Sequence, residues 1–396
     1  MGLFDAFRKS SATHTTLVID IGSASVAGAY VRVAHEAPPE IAYAAHAPIE
    51  RRAGESEPLE GMRRSLEALA DSLVRDGSPA LMRAYGQAHA DRILIAAGIP
   101  WGETRVRTER IQKGKPFAFT RALVREACKG SAADGRRTME DRVIATLLDG
   151  YEVRHPYGRR ASYAEITVLS STMAEAAAAA AENAIARAFH TRRTELHAFM
   201  PAAYAVLKEL YPLQKDHFII AAGAEQTEVA LVSRGVLVGA RSAPGGISLI
   251  AQAAHSAGVR ASADPISGDL AAGLIDAGRN QRFSGAIEKA KSDWLAAVRT
   301  EMLGFASDLP STVFLITDKA SRGLLADAIV DASLGNAIAL GTPITVIPLS
   351  GAHLGSAVRV RADTDPDTAL MLLALYESQL LGERLREGDT PLAPRA

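Results

Sequence analysis

Residues 17–26 read LVIDIGSASV, and residues 218–232 repeat the same pattern as FIIAAGAEQTEVALV. Each segment is a short apolar run, a turn of small residues around Gly22 or Gly223, and a second apolar or alternating run. Apolar runs joined in this way are typical of β-hairpins, and small residues let the turn present its backbone N–H groups. The repeat predicts two hairpins whose turns face each other across a cleft and could hold a polyphosphate from both sides.

The composition is that of an ordinary globular protein. A chain of 396 residues predicts two or more domains, and 48% apolar and 22% charged residues are typical values. Because the formal net charge is −1, no overall positive field favours nucleic acid, and we expect no nucleic-acid partner. The single cysteine, Cys128, excludes an internal disulfide and indicates a reducing compartment, which predicts a cytoplasmic location.

Both ends of the sequence are predicted to be loose. Residues 1–15 form a flexible tail in which three apolar side chains precede Arg8 and Lys9. This tail could lie on a membrane surface with its basic residues near anionic head groups. A disordered terminus is the alternative, because so short a segment buries little apolar area. Residues 386–396, which contain glycine and prolines, are predicted to be a second loose tail.

The segment between the two hairpins has a distinct order of predicted strands and helices. Residues 92–200 predict strands and helices in the order expected of a small α+β insertion. Pro201 begins a further helix just before the second hairpin. After that hairpin, Gly245 and Gly246 precede another predicted helix, where backbone N–H groups can meet a phosphate. Such glycines more commonly only allow a tight turn.

These features together resemble the actin-like ATPase superfamily. Within it, the chain is similar to the bacterial group that contains the cell-division protein FtsA and the pilus-assembly protein PilM. The resemblance spans nearly the whole chain and rests on order and spacing rather than on one diagnostic motif. The segments that carry it are residues 20–26, 93–199, 201–207, 223–246 and the helix that follows Asp365-Pro366.

The resemblance implies an α/β, two-lobed actin-like (ribonuclease H-like) fold with an α+β insertion of the SHS2 type, subdomain 1C. Few residues separate Gly246 from Val313, so the second lobe is expected to be reduced. The implied domains are lobe 1A at 16–91, the 1C insertion at 92–200, lobe 2 at 201–345 with a shortened or absent subdomain 2B, and a return to lobe 1A at 346–385.

The resemblance also implies ATP and magnesium as ligands, with Asp20 steadying the metal through the nucleotide. Glu288 and Lys291 are the counterparts of a pair that contacts ribose and base, although a solvated ion pair on a helix is the alternative. The implied nucleotide-binding residues are Asp20, Gly22, Ser23, Ser25, Gly223, Thr227, Gly245, Gly246, Glu288 and Lys291.

The sequence departs from the family pattern where catalysis would occur. A lysine after the first turn is replaced by Ala27, a carboxylate before the Pro-initiated helix by Met200, and an aspartate opening the second hairpin by Ala221. Phosphoryl transfer depends on placing metal, water and cations around developing charge. Joint loss of these groups predicts no efficient hydrolysis. The alternative is an active ATPase in which Glu225, or less favourably Glu228, replaces the missing aspartate.

The implied function is a membrane-proximal scaffold or adaptor in cell division or in envelope and pilus assembly, at the inner face of the cytoplasmic membrane. Expected partners are proteins, including a short peptide tail bound beside 1C, and further copies of the chain. A sugar-kinase-like phosphotransferase fits least, because no aspartate stands where a hydroxyl would need a general base. The histidines, His46 included, show no metal-ligand spacing and are predicted to be isolated.

Overall fold

The structure is a computed structural model that describes residues 13–49, 58–128, 135–153, 155–189, 193–256, 281–305, 309–319, 321–331 and 344–386. Almost all of the two predicted tails lies outside these ranges, so both tails stay predictions. No helix in the described ranges has the length and apolar character needed to cross a membrane.

The strands are numbered in chain order as β1 (Thr13–Ile21), β2 (Ser25–Ala34), β3 (Ala37–Pro48), β4 (Arg92–Ala97), β5 (Gly102–Ala118), β6 (Arg136–Leu148), β7 (Tyr151–Glu152), β8 (Arg160–Ala174), β9 (Thr194–Ala198), β10 (His217–Ala222), β11 (Gln226–Ser233), β12 (Val236–Pro244), β13 (Thr312–Ile316), β14 (Thr345–Pro348) and β15 (Arg359–Val360).

The helices are α1 (Pro58–Ser72), α2 (Ser78–Tyr85), α3 (Arg121–Cys128), α4 (Glu175–Ala188), α5 (Phe199–Leu210), α6 (Ile247–Ser256), α7 (Gln281–Leu303), α8 (Arg322–Asp331), α9 (Gly351–Leu354) and α10 (Thr368–Arg386). A wider turn, Leu73–Gly77, joins α1 to α2.

The two large sheets repeat one arrangement. The first has the order β15-β3-β2-β1-β4-β9, in which β1, β2 and β3 are antiparallel neighbours while β4 and β9 run parallel to β1. The second has the order β12-β11-β10-β13-β14, with the same antiparallel triplet followed by two parallel strands. The two predicted hairpins, β1–β2 and β10–β11, are therefore confirmed as the corresponding elements of two lobes.

A third, smaller sheet has the order β5-β8-β6-β7 and its own apolar core. This sheet lies within residues 102–174, a narrower range than the predicted insertion at 92–200. The difference arises because β4 and β9 pair in the first sheet, and α4 packs against α1 on that sheet's outer face. A short buried strand such as Ile93–Ala97 looks the same whichever sheet it joins, so its sequence alone did not assign it.

The described part of the second lobe between β12 and β13 consists of two helices and connecting residues. The described residues there, 245–256, 281–305 and 309–311, contain α6 and α7 and no strand. Because residues 257–280 and 306–308 lie outside the described ranges, the expected reduction of the second lobe stays a prediction.

Helices α5 and α10 form the layer between the two large sheets. Their apolar residues, including Leu207 and Leu372, belong to one buried cluster with Val18 of the first sheet and Ile219 and Phe314 of the second. On the outer faces, α1 and α4 cover the first sheet, and α6, α7 and α8 cover the second. The molecule is thus a stack of five layers in which a single core joins both lobes.

Leu372→Ala tests this shared core. Leu372 is fully buried on α10, so truncation should lower the free energy of unfolding by about 2–5 kcal/mol. The matched control is Leu213→Ala, because Leu213 is 94% exposed and should change stability by less than about 0.5 kcal/mol. Urea denaturation followed by circular dichroism measures both, and equal effects would contradict the layered packing.

Candidate functional site

The turns of the two hairpins are in direct contact. The Ser23 hydroxyl in the first turn accepts hydrogen bonds from the backbone N–H groups of Ala224, at 3.1 Å, and Glu225, at 3.3 Å. These bonds join residues about two hundred positions apart in the sequence. The prediction that the turns at Gly22 and Gly223 face each other is therefore confirmed.

Four backbone donors of the two turns have partners within the protein. The N–H of Gly22 donates to the Ser25 carbonyl at 2.9 Å, and that of Gly223 donates to the Gln226 carbonyl at 3.0 Å. Two further donors, on Ala224 and Glu225, point at Ser23. A phosphate-binding loop needs such N–H groups directed at the ligand. A phosphate would have to displace the Ser23 hydroxyl before it could use the second turn.

A cleft of about 780 Å³ lies between the lobes beside these turns. Half of the predicted nucleotide-binding residues line it, and half do not. Those that line it are Asp20, Gly22, Ser23, Ser25 and Gly223, whereas Thr227, Gly245, Gly246, Glu288 and Lys291 lie elsewhere.

Thr227 is buried behind the cleft rather than in it. Its hydroxyl donates to the Gly245 carbonyl at 3.0 Å and accepts a hydrogen bond from the Trp294 indole N–H at 2.9 Å. The side chain is fully buried. Thr227 therefore joins β11 to α7 and does not reach a ligand.

Gly245 and Gly246 bind the second turn instead of a phosphate. The N–H of Gly245 donates to the Glu225 carbonyl, and the first N–H of α6, on Ile247, donates to the Gly223 carbonyl at 3.0 Å. A Cβ atom at Gly246 would overlap that same carbonyl oxygen. The glycine pair is therefore required because the helix start presses against the turn.

Glu288 and Lys291 form an ion pair on the surface of α7, with 3.0 Å between the Lys291 Nζ and a Glu288 carboxylate oxygen. The Glu288 side chain is 66% exposed. The Lys291 side chain is only 13% exposed, so the structure shows the ion pair of the alternative interpretation with one solvated partner and one that is largely covered.

The carboxylate of the second hairpin lies on the opposite strand from the one expected. Ala221 on β10 pairs directly with Glu228 on β11, and cross-strand partners point to the same face of a sheet. Glu228 lines the cleft, whereas Glu225 is exposed and is not among the cleft-lining residues. By position in the cleft, Glu228 is therefore better placed than the expected Glu225 to be the substitute carboxylate. The sequence could have indicated Glu228, because the register of the predicted hairpin places it opposite Ala221.

Two of the carboxyl groups that line the cleft, on Glu228 and Asp20, hold their protons unusually tightly. Burial raises the pKa of Glu228 to about 8. Burial, and then the neighbouring charge of Asp367, raise the pKa of Asp20 to about 8, while His46 acts in the opposite direction. Near neutral pH these groups are poor ligands for magnesium, because a metal requires the deprotonated form.

His46 contributes an imidazole that sequence reasoning treated as isolated. Ala27 pairs with Asp20 on one side and with His46 on the other, so the three residues form a row across β1, β2 and β3. The His46 Nε2 atom lies 3.0 Å from an Asp367 carboxylate oxygen. Burial opposes protonation, but this hydrogen bond and the Asp367 charge raise the pKa of His46.

Unpaired polar atoms line the cleft where β13 ends, beside β10. Among the described residues, the buried Thr317 hydroxyl and the Nε of Arg322 have no hydrogen-bond partner. Another nitrogen of the Arg322 guanidinium donates to the Thr368 hydroxyl at 3.1 Å. The lysine and arginine side chains that line the cleft, within the described residues, are Lys319 and Arg322.

This set of residues does not fit a magnesium triphosphate. The side chain of Ala27 is buried and small, and that of Met200 is buried in the core between the lobes. The N–H groups of Gly22, Gly223, Ala224 and Glu225 donate to protein acceptors, and the carboxyl groups of Asp20 and Glu228 favour the protonated state. No cluster of metal-ligating side chains occurs within the described residues. The cleft keeps the geometry of a nucleotide site without its charge pattern.

The comparisons with known proteins concern the fold. No family model matches the chain, and no curated protein matches it. Among solved structures it is similar to one described as a PilM-PilN type IV pilus biogenesis complex, with a TM-score of 0.58 and 15% identity over 93% of this chain and 98% of that chain.

Two further likenesses are weaker. One is to a Bacteroides thetaiotaomicron protein described as having an actin-like ATPase fold, with a TM-score of 0.39 and 8% identity over 95% of this chain and 99% of that chain. The other is to the ethanolamine utilization protein EutJ from Carboxydothermus hydrogenoformans, with a TM-score of 0.43 and 13% identity over 92% and 89%.

The chain thus has a two-lobed α/β actin-like ATPase fold, as its two repeated sheets and the structural likenesses agree. The expected resemblance to the actin-like superfamily is confirmed at the level of the fold.

Ser23→Ala tests the contact between the turns. The amide protons of Ala224 and Glu225 lose their acceptor, so their hydrogen exchange should accelerate by about tenfold. Exchange followed by nuclear magnetic resonance measures this change. Ser25→Ala, which removes a hydroxyl from the same turn but retains Ser23, is the control. Unchanged exchange in Ser23→Ala would show that the turns do not depend on this bond.

Glu228→Gln tests the buried carboxyl. The folded-state pKa of about 8 lies above the ordinary glutamate pKa of 4.5. The folded protein therefore keeps a proton that the unfolded chain loses, and the free energy of unfolding should fall as pH rises from about 4.5 to 8. Glutamine stays neutral, so the variant should exceed the wild type in stability at pH 9 by on the order of 2 kcal/mol.

Urea denaturation at several pH values measures this difference. The matched control is Glu225→Gln, whose side chain is exposed and whose pH profile should follow the wild type. A Glu228→Gln profile that also follows the wild type would contradict the raised pKa.

Proposed function

We propose that this chain is an actin-like adaptor that binds a short peptide segment of a protein partner and does not hydrolyse nucleotide efficiently. The observation that carries the proposal is a groove of about 730 Å³ where the insertion meets the first lobe. The nucleotide-type cleft has meanwhile lost the groups that phosphoryl transfer requires.

The groove is bordered by four separate elements. Its walls come from the β2–β3 turn, strand β6 of the insertion, the C-terminal half of α5, and α10. Apolar groups such as Ile144 and Leu210 lie beside charged groups such as Lys208 and Glu383. Apolar pockets with a few charges at their borders are suited to an extended peptide, because burial supplies affinity and the charges fix its direction.

The cleft supports a binding role over an enzymatic one. Ser23 occupies the backbone donors of the second turn, and the cations and carboxylates expected around a transferring phosphoryl group are replaced by Ala27, Met200 and Ala221. Removing one such charge-stabilising group commonly costs about 3–4 kcal/mol of transition-state stabilisation. Any nucleotide binding is therefore weak and without efficient turnover.

The likeness to a solved structure suggests the pathway in which the proposed adaptor would act. The solved complex pairs PilM with PilN in type IV pilus biogenesis, and an equivalent role here is an adaptor in pilus or envelope assembly at the inner face of the cytoplasmic membrane. The proposal also includes an adaptor role in cell division and self-association of the chain. FtsA, the division protein of this group, uses subdomain 2B to hold its partner. The expected reduction of the second lobe would remove that surface and therefore favours the adaptor.

Selection of peptides from a random display library on the folded, full-length chain tests the proposal. The wild type should enrich a common short motif, and Leu210→Glu should lose it because Leu210 lines the groove. Leu213→Glu is the matched control, since Leu213 is three residues further on and almost fully exposed outside the groove. Failure to enrich a motif, or enrichment unaffected by Leu210→Glu, would contradict the adaptor.

A second measurement concerns turnover. Phosphate release from ATP with magnesium should not exceed the background of Asp20→Ala, because the charge pattern for transfer is missing. Turnover that disappears in Glu228→Gln would instead support a rearranged ATPase that uses the cleft carboxyl.

A further inference from the structure

The insertion differs in charge from the rest of the chain. Residues 102–174 contain 14 lysines and arginines against 9 aspartates and glutamates, although the whole chain has a net charge of −1. The positive charge is also uneven within the insertion. The segments 111–125 and 155–161 contain six lysines and arginines and no acidic residue.

The fold brings these two segments together at one end of the small sheet. Ala118 at the end of β5 pairs with Arg160 at the start of β8, and the Phe119 N–H donates to the Arg159 carbonyl at 2.8 Å. The Arg121 guanidinium lies 5.5 Å from the centre of the Tyr157 ring. We call this surface the basic end, which consists of Lys113, Lys115, Arg121, Arg125, Arg159 and Arg160.

The basic end lies far from the two lobes. Strand β5 leaves the first lobe at Gly102, and its partner β8 runs from the basic end at Arg160 to Ala174, a span of roughly 45 Å at about 3.3 Å per residue. The other end of β8, Ala174, leads directly into α4 on the first sheet. A partner at the basic end would therefore meet the insertion without blocking the groove or the cleft.

The side chains of the basic end differ from the other arginines of the insertion in that they lack ion pairs. Nearer the lobes, arginines pair with glutamates, as Arg107 does with Glu109 and Arg110 with Glu165. Within the described residues, none of the six side chains of the basic end has a carboxylate at ion-pairing distance, and all six residues are exposed. Six uncompensated cations on one surface produce a local positive potential that the net charge of the chain conceals.

We propose that the basic end binds the anionic head groups of a phospholipid bilayer. The six cations are spread over a strand bulge, a helix and a turn, which suits a planar surface with many negative charges. The exposed Tyr157, which is 51% accessible, is of the residue type that lies at the head-group level of membranes. The proposal is independent of the peptide-binding groove.

An acidic peptide suits this surface less well. The outer edge of β5 could in principle add a strand, but the register shift between Gln112 and Phe117, with Gly114 and Pro116 inside it, disrupts the regular edge. Bulges, lysines and prolines at an edge strand are features that prevent strand addition. A membrane needs no such ladder, because each lysine or arginine near an anionic surface contributes separately.

Sedimentation of the full chain with phosphatidylcholine vesicles, with and without phosphatidylglycerol, tests the proposal. The wild type should sediment with the anionic vesicles only, and less so at high salt. Lys115→Glu combined with Arg125→Glu should weaken vesicle binding by about tenfold or more. The matched control is Arg83→Glu combined with Lys215→Glu, which changes the net charge equally at exposed positions outside the insertion.

The control pair should bind vesicles within about twofold of the wild type. Equal binding by both double variants would overturn the proposal and assign any membrane contact to another segment. Binding to neutral vesicles as strong as to anionic ones would also overturn it. Tighter binding to a double-stranded DNA oligomer than to vesicles, lost in the Lys115 and Arg125 variant, would assign the basic end to nucleic acid instead.

Discussion

The separation of the two sheets is the constraint on which the rest of the structure depends. Helices α5 and α10 fill the space between the sheets with one continuous apolar cluster. Close-packed interiors resist both compression and voids, so the thickness of this layer determines how near the two hairpin turns can come. At this separation the Ser23 hydroxyl reaches the backbone of Ala224 and Glu225 across the cleft. A protein group thus occupies two backbone donors of the second turn that a phosphate could otherwise use.

Strand alternation then determines which side chains face the cleft. On β1 the side chains of Ile19 and Ile21 enter the outer core, so Asp20 points inward. On β10 the same alternation turns Ala221 inward, and its cross-strand partner Glu228 follows it. A carboxyl on β11 points to the same face of the sheet as one on β10 would, but it has different neighbours. The buried carboxyl holds a proton at neutral pH, where catalysis with a metal would require an anion.

The insertion has two chemically distinct regions. Where it meets the first lobe, β6 contributes to a groove of mixed apolar and charged character beside α5 and α10. At its far end none of the six cations is ion-paired with a carboxylate of the described residues. The first region suits recognition of one defined segment, because apolar contacts depend on shape. The second suits a surface recognised through charge alone, where position matters less than the number of charges.

The order of elements could be predicted from the sequence because its signals are local. Apolar runs, turn glycines and Pro201 indicated both hairpins, the insertion and the helix that follows it. The site was predicted only in part. Asp20, Ser23 and the two turns were expected and do line the cleft, whereas Thr227, Gly245 and Gly246 were expected there and are used to hold β11, α6 and the second turn together.

The positions of Glu228, His46 and Asp367 in the cleft required the tertiary structure. Glu228 depends on the register of one hairpin, and His46 meets Asp367 from 321 residues away. The sequence by itself determined which segments become strands, helices and turns, since backbone propensities and apolar periodicity act over a few residues. Only the tertiary structure decided which N–H groups and charges are already satisfied, because their partners come from segments that are remote in the chain.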